Sequence, residues 1–485
     1  MSMQTGKVSE DALPGSIWQW AIAACALTIV LLWPAWYNGQ PLLFPDSVGY
    51  ERAGAVSLAV THIVDEPGLA PAARGTSAVD RGGDGISTAR SPYYGVPVTL
   101  AIDAGGIWAV ATLQALGVAT ALLLALRRLR VSLPIATATI VVLALVGGLA
   151  VYAEAVMPDV FVGVMVLGFA MLLAVPRLPP AERLLWLLAI VVAMLFHKAF
   201  LAIGIVLTIG AAVLARRLVL ERFTIGLLAG CCLIGITGHV LVDVSIRLKT
   251  GRAPLSVPFL MARFADSPVL GNYLRDNCSP PRFRICRYRS RLPMAPDEFL
   301  WGKRSVYVAV SNDDRRAIAA EAGTVLRGAV AARPVEAAVE AGHGAFVQLF
   351  TVGMDDFALG IPASTVVDAR LAPAMAVYPD SAIAHRTFPL EQLGVLAVTL
   401  YLLGAAAICA VVAMRRELIP ARDGRPRMMI LLAVLVGGAV TNAVISGVLS
   451  GVFERYQGRI AWLLPFGAVV IWQAQRPRVN APTLA

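Results

Sequence analysis

The chain has 485 residues, 58% of them hydrophobic and 15% charged, with a mean hydropathy of +0.72. A soluble core of this size would be covered by far more charge, which excludes an ordinary globular enzyme and indicates a polytopic membrane protein. The formal net charge of +10 sits in short Lys/Arg clusters between apolar segments, the pattern that orients a chain in a membrane, so no nucleic-acid partner is expected.

Apolar windows of about 17 to 25 residues predict an all-α fold of about ten transmembrane helices, near 17–36, 106–126, 132–152, 159–175, 184–197, 199–215, 223–243, 388–413, 428–449 and 459–474. The first run is too long for a signal-peptide core and no small-x-small cleavage site follows it, so it reads as a retained anchor. Residues 184–215 form one apolar stretch interrupted by "FHKAF". It reads as two short spans, or as one span plus a re-entrant piece. Two spans place the clusters "RRLR" (127–130), "RLPPAER" (177–183), "ARRLVLER" (215–222), "RRELIPARDGRPR" (415–427) and "QRPR" (475–478) on one side. By the positive-inside rule that side is cytoplasmic and holds both termini, in a membrane of the bacterial inner (plasma) type.

Three regions follow: an N-terminal transmembrane module over 1–243 with exoplasmic loops 37–105 and 153–158, an exoplasmic, partly helical segment over 244–387, and C-terminal transmembrane helices over 388–485. The Ala-rich, charge-studded stretch 296–350, broken by Pro334, predicts two or three helices lying on the membrane surface. Residues 55–90, with "RGGDGIS", read as a flexible part of the first loop. Cys25, Cys231, Cys232 and Cys409 fall in apolar spans and read as small buried hydrophobes. Cys278 and Cys286, in "NCSPPRFRIC", are expected to form a disulfide in an oxidising compartment.

The unusual polar residues collect on the exoplasmic face. Asp46, in "FPDSVGYE" with Tyr50 and Glu51, has the look of a turn or helix cap and also stands where a membrane enzyme would put a general base. A second acidic turn, "AEAVMPDVF", carries Glu154 and Asp159. Paired turns of this kind suit a base with a second acid, or a divalent cation, the one cofactor the carboxylates suggest. Asp159, after Pro158, equally reads as an N-cap. His197 and Lys198 interrupt an apolar run, where an ammonium either snorkels or meets an anion. Arg455 and Arg459 lie four apart at the start of a helix, with Tyr456 between them. They suit interfacial anchoring, or a phosphate gripped by guanidinium forks. At the far end of the first loop "TARSPYYGVPV" brings Arg90, Tyr93 and Tyr94, the tyrosines offering faces for a sugar or for the interface. Asp46 and Arg90 are expected to bracket one cleft. A working base must share that cleft with cations yet stand clear of a permanent ion pair.

An acid in the first exoplasmic loop, acids in the second, a long later loop and an Arg-Tyr turn before "LLP" in the last span together resemble the GT-C fold of integral membrane glycosyltransferases. That group includes protein mannosyltransferases and the aminoarabinose transferases that modify lipid A. The resemblance implies a polyprenyl-phosphate sugar donor, a glycan, lipid or protein acceptor, and surrounding membrane lipids. It implies Asp46 as catalytic base, Glu154 or Asp159 as the second-loop acid and Arg455 as the phosphate contact. Asp46 is followed by Ser47, with Glu51 five residues on, where many members carry an adjacent acidic pair, and no W-W-D motif is present. The alternative is a transporter or flippase of a lipid-linked glycan, marked by charged or broken helices within the membrane, with His239 and Asp243 as the candidates. A structural subunit of an envelope assembly is a third reading.

Overall fold

The computed structural model describes residues 16–60, 86–175, 177–280, 282–361, 367–414 and 425–475. Helix α1 (Ile17–Leu31) starts at a capping box in which Ser16 and Gln19 satisfy each other's amides, and it runs on through Leu32 into α2 (Trp33–Asn38). Gly39, at φ +88, ends the helix in the left-handed region. Helix α3 (Pro45–Val60) follows, so residues 55–60, expected to be flexible, are helical, while 61–85 lie outside the described residues. Helix α4 (Pro92–Arg128) starts where the Ser91 hydroxyl accepts from the Tyr93 amide ahead of Pro92, and it is broken at Gly105–Gly106. The span expected from residue 106 therefore has a helix in front of it where a loop was expected.

Helices α5 (Leu133–Val146), α6 (Leu149–Glu154), α7 (Val160–Ala174), α8 (Pro180–Phe196), α9 (Lys198–Leu218) and α10 (Arg222–Thr250) complete the first region. The long segment holds α11 (Phe259–Arg263), α12 (Pro268–Asn277), α13 (Pro296–Trp301), α14 (Asn312–Ala332), α15 (Pro334–Phe350) and α16 (Ala372–Val377). The chain ends with α17 (Leu390–Ala413), α18 (Arg425–Leu449), α19 (Glu454–Ala461) and α20 (Leu463–Gln475). The described residues contain no strand, only an isolated bridge between Ser87 and Leu255.

Six helices among the described residues are long and apolar enough to cross a membrane: 17–38, α4, α9, α10, α17 and α18. The protein is an all-α membrane protein. The remaining expected spans are the shorter helices α5, α7, α8 and α20, of 13 to 17 residues. Thirteen of the fifteen residues of helix α7 are buried, so its all-round apolar surface faces other helices. Arg128 at the end of α4 pairs with Glu182 of α8, and Arg127 lies over the Trp20 ring. Two of the basic clusters thus meet at the end of α4 farthest from Asp46. The basic residues at 415–424 and 476–478 lie outside the described residues.

The long segment is more than a set of surface helices. Residues such as Met261, Leu270, Ile285, Phe299, Ile318 and Val325 bury a core of their own, with the Cys278–Cys286 disulfide at its edge. Pro334 separates α14 from α15, as its place in the pattern predicts. Helix α15 crosses α18 at Gly344 and Gly447, where a Cβ on either glycine would strike the other helix's backbone. Small residues allow this close docking onto a spanning helix.

Candidate functional site

The site begins with how α3 is held. Gly54 and Gly95 bring α3 and the first part of α4 so close that neither tolerates a Cβ. The Thr99 hydroxyl donates to the Glu51 carbonyl at 3.0 Å, and Tyr50 meets Tyr94 edge to face. Ahead of α3, the Leu42 amide donates to Glu154 Oε2 at 2.9 Å and its carbonyl accepts from the Val156 amide at 3.0 Å. The Ser47 hydroxyl accepts from the Phe44 amide, closing the first turn of α3. Asp46 is therefore a first-turn helix residue rather than a free loop acid.

Asp46 faces a cavity of about 690 Å³. Arg90, Lys198, Asp356, Arg455 and Tyr456 share its charged end, and Ala202, Val242, Ile445 and Leu449 of α9, α10 and α18 form an apolar wall, with Leu300 and Trp301 of α13 above. One Asp46 oxygen is ion-paired to Arg90 and the other accepts from Arg455 Nη1 at 3.4 Å. The Arg455 guanidinium lies over Phe44, 4.4 Å from its centroid, and over Tyr456. Its backbone amide donates to Asp356 Oδ2 at 3.0 Å. Burial pushes the Asp46 carboxyl up, but Arg90 and Arg455 outweigh it and hold the group below the ordinary carboxylate value. This corrects two expectations: Asp46 and Arg90 do not merely bracket the cleft but are paired across it, and Asp46 does not stand clear of an ion pair, as a working base was expected to.

The acids of the second turn part ways. Asp159 accepts from Arg459 Nη1 at 2.7 Å, and Arg459 Nη2 donates to Asn442 Oδ1 at 3.1 Å. Asp159 stands at the N-cap position of α7 but makes no side-chain capping bond, because its carboxylate is committed to that arginine. Glu154 is wholly buried and does not line the cavity. Burial drives its carboxyl well above the usual range, only partly offset by the Leu42 amide, so it stands as a neutral structural acid. The turn 153–158, expected as an exoplasmic loop, is buried throughout.

The other expected residues divide the same way. Tyr50 edges the cavity, with the Arg90 guanidinium 5.7 Å from its ring centroid. Glu51 turns away into a separate cluster, where Arg370 lies 3.9 Å from it and 2.7 Å from Asp103, and Arg52 lies 3.6 Å from Asp368. Burial, then Asp368, pushes the Glu51 carboxyl up to about 8. The Tyr93 hydroxyl donates to the Gly238 carbonyl and that of Tyr94 to Gln114 Oε1. Neither lines the charged cavity, and Tyr93 borders a second cavity, of about 730 Å³, together with Arg90 and Val242. His197 does line it. Its Nδ1 accepts from the Ala199 amide at 3.1 Å as the N-cap of α9, and burial, with Arg459 nearby, pushes it down to about 3, a neutral ring. Lys198 is exposed at the rim.

Sequence reasoning missed Asp356, whose signal was the acidic doublet of "GMDDF" in an apolar stretch, and it assigned His239 and Asp243 only to a transport path although both line this cavity. Among the described residues no three His, Cys, Asp or Glu side chains converge as a metal set. Asp46 and Asp159 are both engaged by guanidinium groups, so arginine supplies the positive charge at these carboxylates. No family model matches the chain, and no curated protein or solved structure matches it.

Proposed function

We propose that the chain is an inverting membrane glycosyltransferase of the GT-C kind, moving a sugar from a polyprenyl-phosphate donor to a hydroxyl acceptor at the exoplasmic face. One observation carries the reading: a single cavity joins Asp46 and the guanidinium groups of Arg90 and Arg455, among further acids (Asp159, Asp243, Asp297, Asp356) and cations (Lys198, Arg459), to an apolar wall formed by three spanning helices. A lipid phosphate needs both parts, a cationic end for its head and a hydrocarbon face for its tail. Counting α5, α7, α8 and α20 with the six long helices gives the ten spans that the apolar windows predict.

In this mechanism Asp46 takes the proton of the acceptor hydroxyl as its oxygen bonds to the anomeric carbon. The bond from that carbon to the phosphate oxygen breaks, and the phosphate leaves with the electron pair. Arg90 and Arg455 receive the charge that gathers on it, with Lys198 at the rim. The test uses purified protein in lipid nanodiscs with polyprenyl-phosphate sugars. Asp46→Asn should cut turnover by roughly 10²-fold or more while the protein still folds; an undiminished rate removes Asp46 as base. The broken helix α4 and the half-buried Asp243, which lines the cavity with its Oδ1 buried and unpaired, favour the transporter reading. Movement of a lipid-linked glycan across vesicles without sugar transfer would select it.

A further inference from the structure

We infer that Arg90 and Arg455 serve two anions in turn: the Asp46 carboxylate while the site is empty of phosphate, and a phosphate dianion once Asp46 is protonated. The inference rests on the proposed function for the source of the phosphate, but not for the exchange itself.

The geometry is that of a shared clamp. Each Asp46 oxygen is held by a different guanidinium, one from the stretch ahead of α4 and one from α19. Neither fork is exhausted: the Arg90 Nε has no hydrogen-bond partner although it is buried, and Arg455 meets Asp46 only through Nη1 at 3.4 Å. A guanidinium has five N–H donors and prefers two parallel bonds to one anion. A single carboxylate spread across two forks satisfies neither, whereas a phosphate, with three free oxygens, suits both. Asp159 does not compete, since Arg459 holds it, and Asp356 spends an oxygen on the Arg455 amide.

The charge balance fits the reaction. A polyprenyl-phosphate sugar is a diester with one negative charge, and the departing polyprenyl phosphate carries close to two. As Asp46 gains a proton it loses its hold on the clamp, at the moment when the phosphate gains the charge that can take it. The two changes cancel within one cavity, so the arginines bind most tightly where charge develops, which is where binding accelerates a reaction.

The test is binding rather than turnover. Purified full-length protein in nanodiscs is titrated with polyprenyl monophosphate, with the uncharged polyprenol and with inorganic phosphate. Asp46→Asn, which mimics the protonated acid, should raise affinity for the monophosphates by roughly tenfold or more and leave polyprenol unchanged. If inorganic phosphate alone responds, the exchange stands and the lipid donor of the proposed function falls. If wild type and variant bind both phosphates equally, or the variant binds them more weakly, the exchange is wrong whatever transferase activity is found. A measurement on wild type covers a variant that fails to fold. At pH 8 an alkyl phosphate is already a dianion, so its binding should draw one proton from the buffer, read as a binding heat that changes with buffer ionisation enthalpy. Tyr50, Asp159, His197, Asp297 and Asp356 also face the clamp. A heat independent of buffer excludes uptake by any of them and by Asp46, and overturns the proposal.

Discussion

Two arginines one helical turn apart on α19 hold two carboxylates in opposite ways. The Arg459 and Asp159 side chains are 2% and 7% exposed, their bond is 2.7 Å, and Asn442 takes a further guanidinium nitrogen. The Arg455 and Asp46 side chains are 14% and 17% exposed, lie 3.4 Å apart and border open space. Both pairs line the same cavity, but the more deeply buried, shorter pair cannot be given up without stranding a charge, whereas the looser, more exposed one can trade partners. The same residue pair thus makes a scaffold in one place and a site in the other.

The most damaging way to probe this difference is Arg459→Ala, which leaves Asp159 buried without its partner. It should cost about 3–5 kcal/mol, seen as a large fall in the thermal unfolding temperature in detergent; a cost near zero would break the comparison. Arg455→Ala should instead spare most of the stability and reduce transfer about 10²-fold, so turnover and unfolding measured on the same preparation would separate the two arginines.

A smaller effect comes from pH. Glu51, five residues from Asp46 on α3, is kept protonated rather than charged. Its carboxyl value is raised, so its contribution to stability is complete below the ordinary value of about 4.5 and is lost as pH climbs to about 8. Asp46, held low, works the other way, and its contribution is lost as pH falls. Glu51→Gln should therefore flatten the decline in unfolding temperature over that alkaline-going window; an unchanged slope would show that Glu51 is ionised in the fold. Smallest of all, Glu154→Gln should change stability by about 1 kcal/mol or less, because an amide oxygen can still accept from Leu42. Glu154→Ala, which leaves that buried amide without an acceptor, should cost more in the same melt.

Apolar run length and helix-breaking residues made the helical membrane architecture legible, down to the break at Pro334. Run length could not say what covers each helix, and α7 is enclosed by other helices. The site was readable as a set of types, since Asp46, Arg90, Asp159, His197, Lys198, Arg455 and Arg459 do line one cavity. Their pairings were not readable, because partners such as Asp159 and Arg459 are 300 residues apart and nothing local marks which acid each arginine meets. Glu51, Glu154, Tyr93 and Tyr94 sit next to site residues in sequence, yet a helix sends consecutive side chains about 100° apart. Adjacency to Tyr50, which edges the cavity, thus carried no information about Glu51.

Leu42 gives both its amide and its carbonyl to the turn at 154–156, and Asp46 follows four residues later, within a turn closed by Ser47. Mechanically the chain is riveted just ahead of its acid, so the wall carrying Asp46 is the fixed jaw of the cavity. The opposing jaw is the stretch 86–90, whose backbone is tied to Leu255 by two hydrogen bonds and which carries Arg90. Under the proposed function, admission of a lipid head is therefore met by displacing Arg90 rather than the carboxylate it faces.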